Sequence, residues 1–258
     1  MKKHEEFIEI CGDIRPDILT EEELAKEKEN GEEKSEKVDT VENNSEEKVE
    51  YNRDTELVFI IDKSGSMQGY ELDTVGGFNS MIEKQKTGEG RVYVSTVLFD
   101  NTSKVLHDRV EISRIKPMEA SDYRVGGCTA LLDAIGGAIH HIGNVHKYAR
   151  REDVPKNTVF VITTDGMENA SKCYGIDHVR SLIKRQTEKY GWEFIFVAAN
   201  IDAIETAGSM GIQRDRAANY SQDSDGYTAC YSAMSEFVTM KRKCVKRDVG
   251  DEWKRDLN

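Results

Sequence analysis

Asp62, Ser64 and Ser66 occupy alternate positions directly behind the apolar run Leu57-Val58-Phe59-Ile60-Ile61. Much further along, Thr129 follows Gly126-Gly127-Cys128, and Asp165 follows Thr163-Thr164 at the end of a second apolar run. Two carboxylates and three hydroxyls therefore become available from three separate loops. Oxygen donors of this kind suit magnesium or manganese and suit zinc poorly. The set leaves a divalent cation one coordination position to fill from outside. D-x-S-x-S alone is weak evidence, because Asp and Ser cap helices as readily as they hold metals. The weight comes from the setting. Gly65 lets both serine hydroxyls turn inward, and Gly126 and Gly127 let the backbone pass close to another atom before Thr129 presents its oxygen.

The elements that must position these residues follow from periodicity. Residues 56–62, 157–164 and 193–199 are continuous short apolar runs ending in polar or glycine-containing loops, which predicts buried strands. Residues 91–99, rich in Val, Tyr and Thr, predict another strand, joined by the turn Asp100-Asn101-Thr102-Ser103 to a short strand at 104–106. Helical spacing links Leu72, Val75, Phe78, Met81 and Ile82. It also links Leu131, Ile135, Ile139, Ile142 and Val145, then Ile176, Val179, Leu182 and Ile183, and finally Tyr227, Tyr231, Met234 and Phe237. A short helix near Ile204 and a weak strand at 217–220 fall between the last two. Apolar strands joined by helices predict an α/β fold with a mainly parallel sheet, one antiparallel edge strand and helices on both faces. Ligands in such sheets sit beyond the carboxyl ends of the strands, where strand order reverses. Asp62 and Asp165 each fall at such an end.

The formal net charge of −12 is unevenly spread: residues 1–54 carry 19 acidic and 9 basic side chains, and the remainder 29 and 27. The near-neutral body lacks the basic excess that nucleic-acid binding needs. Residues 20–54 are Glu-, Lys-, Asn- and Ser-rich and cannot offset their ordering entropy by burial. The chain thus divides into an acidic, largely disordered arm (1–54), a folded domain (55–242) and a charged C-terminal tail (243–258). Ahead of the acidic stretch, Phe7-Ile8-Glu9-Ile10-Cys11 forms a small apolar cluster, read either as a docking peptide or as an element folding back on the body. Five scattered cysteines without a C-x-x-C pair argue against a disulfide framework and a zinc site. Glu5, Glu6 and Glu9 break any signal-peptide core, and no stretch approaches the roughly 18 apolar residues of a membrane span. These features predict a cytoplasmic protein that binds neither membrane nor nucleic acid.

Residues 55–242 resemble a von Willebrand factor A domain. The resemblance rests on Asp62, Ser64, Ser66, Thr129 and Asp165, which match that family's metal-ion-dependent adhesion site in order and setting. It is stronger to stand-alone bacterial cytoplasmic members, such as those associated with tellurite resistance, than to secreted adhesion domains. It implies a six-stranded Rossmann-like fold binding magnesium or manganese. It further implies that Ser64, Ser66 and Thr129 are direct ligands, that Asp62 and Asp165 act largely through water, and that a partner protein's Asp or Glu completes the shell. Lys63, inside the motif, is expected to point away from the site, with Asp100 as a candidate partner.

Other residues invite chemistry less strongly. His140 and His141 project about 100° apart on a helix, and His146 is not at i+4 from either, so surface or partly buried histidines are expected. His107 and His178 have no companion at ligand spacing. Cys128 is expected as a small buried filler, and Gly136-Gly137 as a thin point where a helix approaches the sheet. Lys241-Arg242-Lys243 and Lys246-Arg247 are expected to complement a helix dipole. The sequence thus predicts a non-enzymatic, cation-dependent protein-binding module, an adaptor or assembly factor. The alternatives are a metal-dependent phosphohydrolase and a structural subunit whose metal only holds loops together. Partner, pathway and oligomeric state stay open.

Overall fold

The computed structural model describes residues 54–243 and 249–257. Residues 1–53 of the acidic arm, the Phe7–Cys11 cluster among them, and Cys244, Lys246 and Arg247 lie outside the described residues.

Six strands form one sheet: β1 (Thr55–Asp62), β2 (Val92–Phe99), β3 (Ser103–Glu111), β4 (Asn157–Thr164), β5 (Glu193–Ala198) and β6 (Ala217–Asn219). Their order is β3-β2-β1-β4-β5-β6, and every neighbouring pair is parallel except β2 with β3. All residues of β1 and β4 are buried, as central strands covered on both faces require. The helices are α1 (Glu71–Lys86), α2 (Leu131–Tyr148), α3 (Ile176–Tyr190), α4 (Ala203–Ser209) and α5 (Ser224–Lys243).

Side chains alternate across the sheet. Leu57, Phe59 and Ile61 join one core with Phe78 and Ile82 of α1 and Phe237 of α5. Val58 and Ile60 join the other with Ile135 and Ile139 of α2 and Val179 of α3. The chain leaves β1 for β2 on one side and later returns to place β4 on the other. Strand order therefore reverses between β1 and β4, and the crevice beyond their carboxyl ends lies at Asp62 and Asp165.

Several sequence expectations are corrected. Leu72, placed on the apolar face of α1, is 77% exposed because it sits in the first turn, above the core. Strand β3 runs nine residues, well past 104–106; its half-exposed edge position and a register shift opposite Val94–Val97 hide the period-2 pattern. Gly136 makes room for the ring of Tyr174, whose Cδ1 would lie 2.3 Å from a Cβ there, so the close neighbour at this glycine is a loop side chain.

Two residues of the basic run at the end of α5, Lys241 and Arg242, also face inward. Buried Arg242 donates from Nη1 to the Gln85 carbonyl at 2.6 Å and to Gln85 Oε1 at 2.9 Å, and from Nη2 to the Glu89 carbonyl at 3.0 Å. It thereby satisfies the carbonyl end of α1, a neighbouring helix, while Lys241 pairs with Glu193. Residues 249–257, assigned above to the charged tail, bring Val249, Trp253 and Leu257 into the α1/α5 core. Trp253 meets Phe237 edge-on at 5.6 Å and donates its indole N–H to the Asp215 carbonyl at 2.9 Å. Among the described residues no helix is long and apolar enough to cross a membrane.

Candidate metal centre

The loop after β1 is held by backbone before its side chains matter. Lys63 N–H donates to the Phe99 carbonyl at 2.7 Å, Gly126 N–H to the Lys63 carbonyl at 2.9 Å, and Gly65 N–H to the Gly127 carbonyl at 3.0 Å. The first and second loops are thus laced together. Gly127 has φ +77°, and a Cβ there would lie 2.2 Å from Asn101 Oδ1, so only glycine fits without displacement. Asn101 Oδ1 in turn accepts Cys128 N–H at 2.9 Å. This arrangement turns Thr129 inward and leaves Cys128 exposed, contrary to the buried filler expected.

The third loop is built against the start of α2. Asn169 exchanges two hydrogen bonds with Thr129: its Oδ1 accepts Thr129 N–H at 2.9 Å, and its N–H donates to the Thr129 carbonyl at 3.0 Å. Glu168 Oε2 accepts Leu132 N–H at 2.9 Å, satisfying a donor in the first turn of α2 where a carboxylate also complements the dipole. Asp133 accepts Lys172, Cys173 and Tyr174 N–H groups in return.

All five predicted site residues meet at this end of the sheet. Asp62 Oδ1 accepts Ser64 N–H at 2.7 Å, and Oδ2 accepts the Thr164 hydroxyl at 2.6 Å. The hydroxyls of Ser64 and Ser66 are 3.1 Å apart, and Ser66 donates to Asp165 Oδ1 at 2.5 Å. Thr129 joins them across Gly166: a Cβ on that glycine would stand 3.3 Å from Thr129 Oγ1 and 3.4 Å from Ser66 Oγ. Asp62, Ser64, Thr129 and Asp165 are buried, and Ser66 is exposed. The cluster therefore opens to solvent at a hydroxyl.

Burial raises both carboxyl groups above their ordinary range. For Asp62 the bonds from Thr164 and Ser64 oppose that rise and the charge of Asp165 adds to it; for Asp165 the bonds from Ser66 and Gln222 oppose it. No described cationic side chain hydrogen-bonds to either carboxylate. Lys63 is the nearest in sequence, and its ammonium pairs with Asp100, as the second of its expected roles required. Two buried carboxylates without a counter-charge, beside three hydroxyls, fit a hard divalent cation by both charge and donor type. Among the described residues no three His, Cys, Asp or Glu side chains gather as a metal-binding group, so the oxygen set depends on its hydroxyls.

Sequence reasoning missed Thr164, Gln222 and Asn200. Gln222 donates from Nε2 to Asp165 Oδ2 at 2.8 Å, and Asn200 donates to Gln222 Oε1. Thr164 was legible in principle, since it precedes Asp165 at the end of β4; nothing in the sequence marks the other two. The histidines are engaged elsewhere. His140 bonds Tyr174 at 2.6 Å, His141 bonds Asp108 at 2.7 Å, and His146 lies 3.3 Å from Glu56. His178, without a companion in sequence, lies 6.0 Å from His140 across the two helices.

No family model matches the sequence, and no curated protein matches it. Among solved structures the chain is similar to proximal thread matrix protein 1 from the mussel byssus, with a TM-score of 0.50 at 14% identity over 72% of this chain and 46% of that one. It is similar also to a von Willebrand factor type A structure from Catenulispora acidiphila, with a TM-score of 0.50 at 13% identity over 72% of this chain and 42% of the other. The chain spans less than half the length of the chains it matches. At these identities the likeness shows the fold: a Rossmann-like von Willebrand factor A architecture with one antiparallel edge strand.

Proposed function

We propose that this chain is a divalent-cation-dependent protein-binding module without catalytic activity of its own. Ser64, Ser66 and Thr129 would hold magnesium or manganese, with Asp62 and Asp165 supplying charge, largely through water. When bound, the cation offers one open position to an Asp or Glu of a partner protein. The observation that carries this reading is the convergence of two buried, cation-less carboxylates with three hydroxyls, one of them exposed, at the switch point of the sheet.

Both oxygens of Asp62 and both of Asp165 already accept hydrogen bonds from the protein. Neither carboxylate is poised as a nucleophile or base, which supports binding over phosphoester hydrolysis. The role we assign is that of an adaptor or assembly factor. The free thiols of exposed Cys128 and buried Cys230 support placing it in the reducing cytoplasm, as in bacterial stand-alone relatives of this fold.

The test is capture of partner proteins on the immobilised full chain in magnesium, followed by EDTA elution, with Ser66→Ala as control. The reading predicts a partner released by EDTA and not retained by the variant. Retention that ignores both EDTA and the substitution contradicts it.

A further inference from the structure

Gln222 lies in the turn between β6 and α5, far in sequence from every motif residue, yet its amide reaches the candidate metal centre. Nε2 donates to Asp165 Oδ2 at 2.8 Å, while Ser66 donates to Oδ1 at 2.5 Å. The two oxygens of one buried carboxylate thus have different keepers. Their difference is chemical. A serine hydroxyl hydrogen rotates freely, so Ser66 can turn its proton away and present a lone pair together with Oδ1. An amide NH2 has no such freedom and continues to donate.

The amide cannot reverse either. Asn200 donates to Gln222 Oε1, and a flipped amide would set Oε1 against the Asp165 carboxylate and NH2 against the Asn200 donor. Asn200 is itself held in the left-handed region at φ +58°, a conformation that Asn tolerates better than most residues. It follows β5 at the same edge of the sheet at which Asp165 follows β4. An asparagine, a glutamine and a buried aspartate therefore form one line of hydrogen bonds from the loop after β5 to the centre.

We infer that Gln222 is a specificity-determining residue: by holding Asp165 Oδ2 it restricts Asp165 to a single available oxygen and tunes the centre for magnesium against calcium. The inference rests on the cation-binding reading above. Magnesium takes six ligands in near-octahedral geometry and uses carboxylates one oxygen at a time. Calcium takes six to eight and readily uses both oxygens of one carboxylate. With magnesium the Asp165 carboxylate can act through water, whereas a larger ion that would draw the carboxylate in by both oxygens finds Oδ2 engaged by a fixed donor and is penalised selectively.

The experiment is calorimetric titration of the full chain with magnesium and with calcium chloride, for the parent, Gln222→Met and Asn200→Gly. Methionine keeps the length of the side chain without the amide, and glycine suits the backbone angle at 200 while removing only the donor. We expect the parent to bind magnesium more tightly, and Gln222→Met to shift the magnesium-to-calcium ratio about tenfold toward calcium, the worth of one charge-assisted hydrogen bond. Asn200→Gly should move the ratio the same way by less. An unchanged ratio in Gln222→Met, or an equal loss of both affinities, overturns this inference and leaves the cation-binding reading intact. A parent that binds neither ion overturns both. If Gln222→Met fails to fold by circular dichroism, Asn200→Gly decides alone, and an unchanged ratio there counts against the inference.

Discussion

The hydroxyl of Ser66 donates to Asp165 Oδ1 at 2.5 Å, joining the loop after β1 to the loop after β4 across a separation of 99 residues. Ser66 is exposed and Asp165 is buried, so this bond spans the boundary between solvent and the candidate metal centre. Ser66→Ala should therefore impair partner capture and leave the domain folded, since the hydroxyl sits outside the core. Capture, phosphoester turnover and melting temperature measured on that one variant separate three accounts. Normal capture with lost turnover would indicate a hydrolase. Normal capture with a large fall in melting temperature would leave only a scaffold.

Arg242→Ala should destabilise the domain by about 2–4 kcal/mol, because it strips a charged donor from the buried carbonyl end of α1. Lysine should not restore the loss, since Nη1 and Nη2 bond acceptors from Gln85 and Glu89 that one ammonium cannot span. Urea unfolding midpoints of the two variants check both statements.

Trp253→Ala should cost about 3–5 kcal/mol, the range for losing a large buried aromatic. Trp253 is 1% exposed against Phe237, so the region after residue 248 belongs to the core it covers. Thermal unfolding of the variant measures the effect; an unchanged midpoint would show that this contact contributes nothing to the fold.

The pH dependence of stability has a defined sign at His107. Its ring stacks against Phe78 at 6.2 Å, and burial pulls its pKa below the ordinary histidine value, opposed in part by Asp122. Above about pH 6.5 both folded and unfolded states hold it neutral. Below that, the unfolded chain takes the proton more readily, so stability falls with acidification until the folded state also titrates. Asp62 and Asp165, raised by burial, act in the opposite sense, because the folded state binds their protons more readily. Comparing urea midpoints between pH 7.5 and 5 for the parent and His107→Gln isolates the histidine. The variant should lose less stability on acidification.

Much of this was legible in the sequence because it depends on local pattern. The continuous apolar runs that lead into Asp62 and toward Asp165 read as central strands. Polar residues at their ends must then emerge at one edge of the sheet, and the five proposed ligands do meet there. What escaped depends on partners distant in sequence. Gln222 and Asn200 stand in polar turns that look like any others, and only the fold aims one at Asp165. Trp253 and Leu257 are too sparse among charges to signal a buried segment. The Lys241-Arg242-Lys243 run reads as complementing the dipole at the end of its own helix until the end of α1 supplies carbonyls for Arg242. Cys128 was placed by residue type, whereas the backbone bonds of Gly127 and Asn101 decide which way it faces.

The central claim is tested most directly by titrating the full chain with magnesium in a calorimeter, beside Asp62→Ala and Thr129→Ala. One removes a carboxylate from the centre and the other a hydroxyl, on different elements. The account predicts one magnesium per chain in the parent and strongly weakened binding in each variant. Binding of equal affinity in all three proteins would contradict it.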